Sequence, residues 1–194
     1  FTSDHGYHLG EKGHWQKQTL YDRATKVPLI ISGPGIKSNK KILNSPVELV
    51  DLYKTIMDLT GIDVPKFVQG YSLKESLISD KEVERKSALS ELRVYSEKEL
   101  GQGYSIKTNR FRLIEWDYKN KIYHELYDHK YDPDENNNVA SDESYIQIKD
   151  SLKIILKNRI LEARKKPDGL GRQIQNAKPN FEPKRIFSSK KSRL

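Results

Sequence analysis

The sequence predicts an α/β chain. Residues 1–85 read as the end of an α/β layer domain, 86–166 as a small α+β subdomain with an antiparallel sheet and a C-terminal helix, and 167–194 as a basic tail. Three observations carry this. A short apolar run, Val27–Ile31, is followed by an amphipathic stretch, Ser45–Gly61, in the strand–helix order of a layered α/β fold. Four short β-like segments joined by turn residues fill positions 88–127. A last amphipathic stretch runs from Tyr145 to about Lys165.

The elements follow in order. Residues 1–25 are rich in glycine, histidine and charge without periodicity, hence a loop. The opening Phe1-Thr2-Ser3-Asp4-His5 reads as the end of a buried strand, so the chain is expected to continue a longer one. Val27-Pro28-Leu29-Ile30-Ile31, closed by Ser32-Gly33-Pro34-Gly35, predicts a buried strand and a turn. Ser45-Pro46-Val47-Glu48 has the cap, first-turn proline and glutamate of a helix start, and Gly61 stops that helix. Its apolar face is Val47, Val50, Ile56 and Leu59 with neighbours. The charged stretch Ser79–Lys86 marks a boundary. Beyond it Ala88–Tyr95, Gly103–Thr108, Phe111–Trp116 and Tyr123–Tyr127 predict a meander, turning at Asn109-Arg110 and Tyr118–Lys121. Asp132–Asn138 is a polar loop. The final helix should bury Ile148, Leu152, Ile155, Leu156, Ile160 and Leu161.

Composition narrows the chemistry. Apolar residues make up 35% and charged ones 32% of the 194, so some segments must stay in water. The absence of cysteine removes disulfides, thiolate metal sites and a cysteine nucleophile from this stretch. No apolar run approaches the roughly 18 residues of a membrane span. Net charge is +8, and between Lys149 and Leu194 fourteen Lys and Arg face four Asp and Glu. Such an end is either a landing strip for a polyanion or a solvated helix face with a loose end.

Chemistry-bearing residues cluster at the start. Asp4 and His5 stand together at the end of a strand, where sites gather in α/β sheets. One offers a hard oxygen and the other a nitrogen to a divalent cation. Lys17 follows behind Gly10 and Gly13, which let the loop fold back, and an ammonium there would hold an anion. His8 and His14 could line a substrate pocket or be polar loop residues; Glu11 could support the site or stay on the surface.

Taken as a string, these residues carry a resemblance. Thr2-Ser3-Asp4-His5-Gly6, Leu9-Gly10-Glu11-Lys12-Gly13-His14-Trp15-Gln16-Lys17, Tyr21-Asp22 and Val27-Pro28-Leu29-Ile30 resemble the type I sulfatases of the alkaline-phosphatase-like superfamily. Four further stretches are similar to sulfatase segments and follow in family order: Ser45–Gly61, Gln69–Leu73, Gly103–Thr108 with Arg110-Phe111-Arg112 and Trp116, and Glu125–Asn138. The Asp-His pair looks like the iduronate-2-sulfatase-like branch. The resemblance implies the C-terminal part of an alkaline-phosphatase-like domain, with Asp4 and His5 as Ca²⁺ ligands and Lys17 contacting the substrate sulfate with a catalytic, charge-stabilising role. His14 is carried as a candidate substrate-binding residue.

The family nucleophile, a formylglycine made from Cys or Ser in Cys/Ser-x-Pro-x-Arg, has no match: Ser32-Gly33-Pro34 is followed by Ile36 where arginine would stand. The resemblance therefore implies an upstream nucleophile, a missing N-terminal half as partner and a sulfated carbohydrate substrate. The parent is expected to be exported to periplasm, lysosome or exterior; no nucleic acid partner is expected, and this stretch by itself should be inactive. A phosphonate monoester or phosphodiester hydrolase of the same superfamily, or a non-catalytic basic module, are the rival readings.

Overall fold

A computed structural model describes residues 1–37, 42–79, 81–95 and 100–165; the predicted basic tail lies outside them. Its centre is a four-stranded antiparallel sheet in the order β3 (Ala88–Tyr95), β4 (Leu100–Lys107), β5 (Phe111–Tyr118) and β6 (Lys121–Asp128). This is the predicted meander. Strands β5 and β6 are joined by Lys119 and Asn120, both with positive φ (54° and 58°), the two-residue turn whose twist suits a hairpin.

Alternation along each strand gives the sheet two apolar faces. On one, Ile106, Leu113 and Leu126 are buried against Leu152 and Leu156 of α4 (Ile146–Ala163), with Ile148 and Ile160 packed alongside. The buried stripe is narrower than expected: Ile155 and Leu161 are 37% and 54% exposed, because the sheet contacts one row of the helix. On the other face Ile114, Tyr127, Leu92 and Trp116 receive Leu20 and Tyr21 from the N-terminal segment.

Two local expectations are corrected. Val27–Ile31 is not a buried strand among the described residues. It forms a single antiparallel bridge, Leu29 to Thr2, extended by the Phe1–Ile30 hydrogen-bond pair, and Ile30 is 60% exposed. Helix α2 runs Asp51–Thr60 rather than from Ser45, although Gly61 ends it as expected with φ 71°. The reason is that Asp51, not Ser45, gathers the amides: its carboxylate accepts from Glu48 N at 2.9 Å and Tyr71 N at 2.8 Å.

Glu48 is used elsewhere, accepting from Leu89 N at 2.7 Å and pairing with Arg85 and Arg159. Val83 and Arg85 are buried, with Arg85 donating to Asp51 and stacking on Tyr71 at 4.5 Å.

Candidate active-site loop

The N-terminal loop is folded by glycines and by its own carboxylate. Gly6 N donates to Ala24 O at 2.8 Å, and a Cβ on Gly6 would stand 2.0 Å from the Arg23 carbonyl oxygen. Only glycine lets the Asp4-His5 segment lie this close to α1 (Asp22–Thr25). Strands β1 (His8–Leu9) and β2 (Trp15–Gln16) form a small hairpin over a turn with Gly10, Lys12 and Gly13 at positive φ. Glu11 shapes that turn by accepting from Leu9 N at 2.6 Å. The Leu9 amide and its own amide hold its carboxyl below the usual range.

Asp4 and His5 are in contact. His5 Nε2 lies 3.4 Å from Asp4 Oδ2, and His5 N donates to Asp4 Oδ1 at 3.0 Å. His5 Nδ1 sits 2.7 Å from the Gly6 carbonyl. A carbonyl only accepts, so Nδ1 carries a proton, and Nε2 is the ring nitrogen turned to the carboxylate side. A ring nitrogen and a carboxylate oxygen thus stand 3.4 Å apart, and the Asp4 side chain is 81% exposed. Both atoms are of types a divalent cation accepts, as two members of a larger ligand set.

Lys17 is exposed just after β2, and no hydrogen bond or ion pair among the described residues joins it to Asp4 or His5. His14 is exposed, its ring 5.7 Å from that of His8 and 6.0 Å from that of Tyr21. His8 is fully buried, with Nε2 2.7 Å from Thr19 Oγ1, and burial together with the neighbouring His14 lowers its pKa. It therefore packs the loop rather than lining a pocket. Trp15 is 66% exposed beside Gly10. Tyr104, Arg110 and His124 are engaged within the subdomain, by Arg164 at 2.7 Å, by Asp128 and by Glu115 at 3.0 Å respectively.

What seats the loop on the sheet is a buried charge cluster. Arg112 of β5 donates to Glu135 Oε1 at 2.5 Å, to Leu20 O at 2.9 Å, to Ser105 Oγ at 2.7 Å and to Asp22. Asp22 N in turn donates to Glu135 Oε2 at 2.9 Å, and His129 Nε2 lies 2.8 Å from Glu135 Oε1. Burial alone would raise the Glu135 carboxyl, but His129, Arg112 and the Asp22 amide outweigh it and hold it at about 2. Nearby Lys107 is pushed down to about 8 by burial, against the pull of Asp22. Asp22, His129 and Glu135 come within reach of one another as metal ligands would. The guanidinium of Arg112 already supplies the cation there, so the cluster reads as a structural ion-pair hub. A second bridge is Glu125, which accepts from Tyr21 at 2.8 Å, Tyr127 at 2.5 Å and Trp116 at 3.0 Å.

Asp22 and Arg112 stand in the sequence strings that carry the resemblance, but nothing there pairs them with each other or with Glu135. The legible signal was Arg112 itself, a charge among Phe111, Leu113 and Ile114 in a strand. A charge between apolar neighbours requires a buried partner.

Comparison with known proteins adds the remaining observation. The family described as "N-sulphoglucosamine sulphohydrolase, C-terminal" matches residues 10–165. The chain is 34% identical to arylsulfatase K of Bos taurus over 148 residues, which is 73% of this chain and 27% of that protein. Among solved structures, a 2-O GAG sulfatase superposes with a TM-score of 0.74 at 29% identity, covering 94% of this chain and 38% of that one. Another, a protein in complex with its substrate D-glucosamine-2-N,6-O-disulfate, gives a TM-score of 0.70 at 32% identity, covering 88% of this chain and 35% of that one. The chain therefore spans about a quarter to two fifths of the proteins it matches.

Proposed function

Because this chain belongs to the sulfatases, as a C-terminal part, we propose that it supplies one side of an active site that hydrolyses sulfate esters of a sugar or polysaccharide. The carrying observation is the Asp4–His5 pair, whose imidazole is oriented by Gly6 O so that Nε2 faces the carboxylate 3.4 Å away. Asp4 Oδ and His5 Nε2 would hold Ca²⁺, which when bound supplies positive charge to activate the nucleophile and polarise the ester. Lys17, on the same loop, holds the sulfate and stabilises the charge that grows on its oxygens as the ester bond breaks. His14 borders the sugar. The formylglycine nucleophile lies on a segment outside this sequence.

The relatives' names support the substrate class: one solved relative carries a disulfated glucosamine, and another is a GAG sulfatase. Residues 1–85 form the last part of the catalytic domain and 86–166 a subdomain. Tyr53 and Ile56 of α2 are 56% and 57% exposed, apolar surface that supports this part seating against further protein. The 194-residue chain by itself is expected to bind Ca²⁺ weakly and to release no sulfate.

The experiment uses the full-length parent, matured by a formylglycine-generating system. Paired aryl sulfate and aryl phosphate esters are compared with Ca²⁺ and with chelator. Ca²⁺-dependent sulfate release is the expected result. Cleavage of phosphodiester or phosphonate esters with little sulfate release would overturn the reading, and sulfate release by the isolated chain would overturn its dependence on the missing half.

A further inference from the structure

The sheet face that receives the loop continues beyond it as a strip of aromatic rings laid over glycines. Strand β4 carries Gly101 and Gly103 on this face, and Gly103 pairs in register with Trp116 of β5. A Cβ on Gly103 would lie 2.4, 2.6 and 2.8 Å from three atoms of the Trp116 six-membered ring, so the indole covers the glycine directly. At Gly101 a Cβ would meet Tyr118 Cδ2 at 3.4 Å and Val94 at 3.9 Å. Tyr123 of β6 stands opposite Trp116 in register. The strip is open: Val94, Tyr118 and Tyr123 are 46%, 39% and 50% exposed.

Its chemistry is particular. Three of the four side chains are aromatic with a polar edge, and two glycines keep the floor between them free of side chains. A pyranose ring has the matching form, a face of C–H groups rimmed by hydroxyls. Rigid aromatic rings offer such a ligand contact area at little conformational cost, while the tyrosine O–H groups stay at the rim. An aliphatic protein partner would bury the tyrosine hydroxyls without partners.

The strip is also tied to the loop. Glu125 accepts from Trp116 Nε1 with one oxygen at 3.0 Å and from Tyr21 Oη with the other at 2.8 Å. The Tyr21 ring stands 6.0 Å from that of His14. One carboxylate thus couples the aromatic floor to the loop of Lys17 and His14.

We infer that Trp116, Tyr118 and Tyr123 form a stacking subsite for a pyranose ring of the carbohydrate whose sulfate is held at the loop, an assignment that rests on the proposed function. The test uses the full-length matured parent and a Tyr118→Ala/Tyr123→Ala double variant, with Tyr118→Phe/Tyr123→Phe as the conservative control. Both tyrosines are exposed, so the fold should survive. Binding of a heparin-derived tetrasaccharide is measured by calorimetry, and kcat/KM is measured on that saccharide and on an aryl sulfate.

The expected result is binding weakened about tenfold or more in the alanine variant, with the loss in kcat/KM on the saccharide exceeding that on the aryl sulfate by about tenfold. The phenylalanine variant should keep most of the wild-type binding. Equal losses on both substrates, unchanged saccharide binding, or no binding by the wild type would each overturn the subsite. A wild type that binds the saccharide through these tyrosines but releases no sulfate would uphold the subsite as a sugar site and overturn the hydrolase reading alone.

Discussion

Arg112 Nε donates to Glu135 Oε1 at 2.5 Å, and each of the two side chains is 2% exposed. The pair joins β5 to the polar loop after β6, and through Asp22 and Leu20 O it fastens the N-terminal segment to the sheet. A charge buried so completely is tolerated only while its partners remain, which makes the pair a sensitive point of the structure.

Replacing Arg112 with methionine should cost about 3–5 kcal/mol of stability, since the buried Glu135 would lose its guanidinium partner. Urea unfolding followed by circular dichroism reads this directly. A shift below about 1 kcal/mol would mean that water enters the cluster and replaces the guanidinium.

Acid should attack the same point. Glu135 is held at about 2 against an ordinary value of 4.5, so its contribution is fully present above pH 4.5 and is lost as pH falls toward 2. Unfolding free energy should decline through that window, and the decline should be shallower when Glu135 is replaced by glutamine. Denaturant midpoints measured at intervals across the window check this; parallel curves for both proteins would contradict the assignment.

Gly6→Ala should separate the Asp4-His5 segment from α1. The new Cβ would meet the backbone oxygen of Arg23 at 2.0 Å, and backbone cannot rotate aside as a side chain can. A cost of about 1–3 kcal/mol is expected from the forced shift, together with weaker Ca²⁺ binding in the full-length protein by calorimetry. Unaltered Ca²⁺ affinity in a destabilised variant would separate this hinge from the metal pair.

Lys17→Ala in the matured full-length protein should lower kcat by about 10²–10³, the usual effect of removing one group that stabilises transition-state charge. Because Lys17 is exposed, the thermal midpoint should hardly move. A rise in KM with kcat preserved would instead make Lys17 a ground-state anchor for the sulfate.

How much of this could be read from the residues varies with the range of the interaction. The meander was legible because alternation and turn residues act locally: the expected turn at Tyr118–Lys121 became a hairpin turn at Lys119-Asn120. The stop of α2 at Gly61 was legible for the same reason. Its start was not. Ser45 and Glu48 have the pattern of a cap, yet Glu48 is drawn to Leu89, Arg85 and Arg159, residues 37 to 111 positions away in sequence. Of the candidate site, Asp4 with His5 was found as a pair of ligand types, and their contact is observed. Lys17 and His14 were found only as residue types on a glycine-containing loop.

By itself the sequence determined the order of elements, the family string from Thr2 to Asn138 and the residue types offered to a cation and an anion. Those properties live in neighbours along the chain, where backbone preference and side-chain period act. Tertiary structure alone decided that Arg112 and Glu135 hold the loop down, that His8 is packed while His14 is open, and that Trp116 and Tyr118 lie over glycines beside the loop. Each of these depends on which distant group reaches a buried charge or an empty space first, a competition that spacing along the chain does not encode.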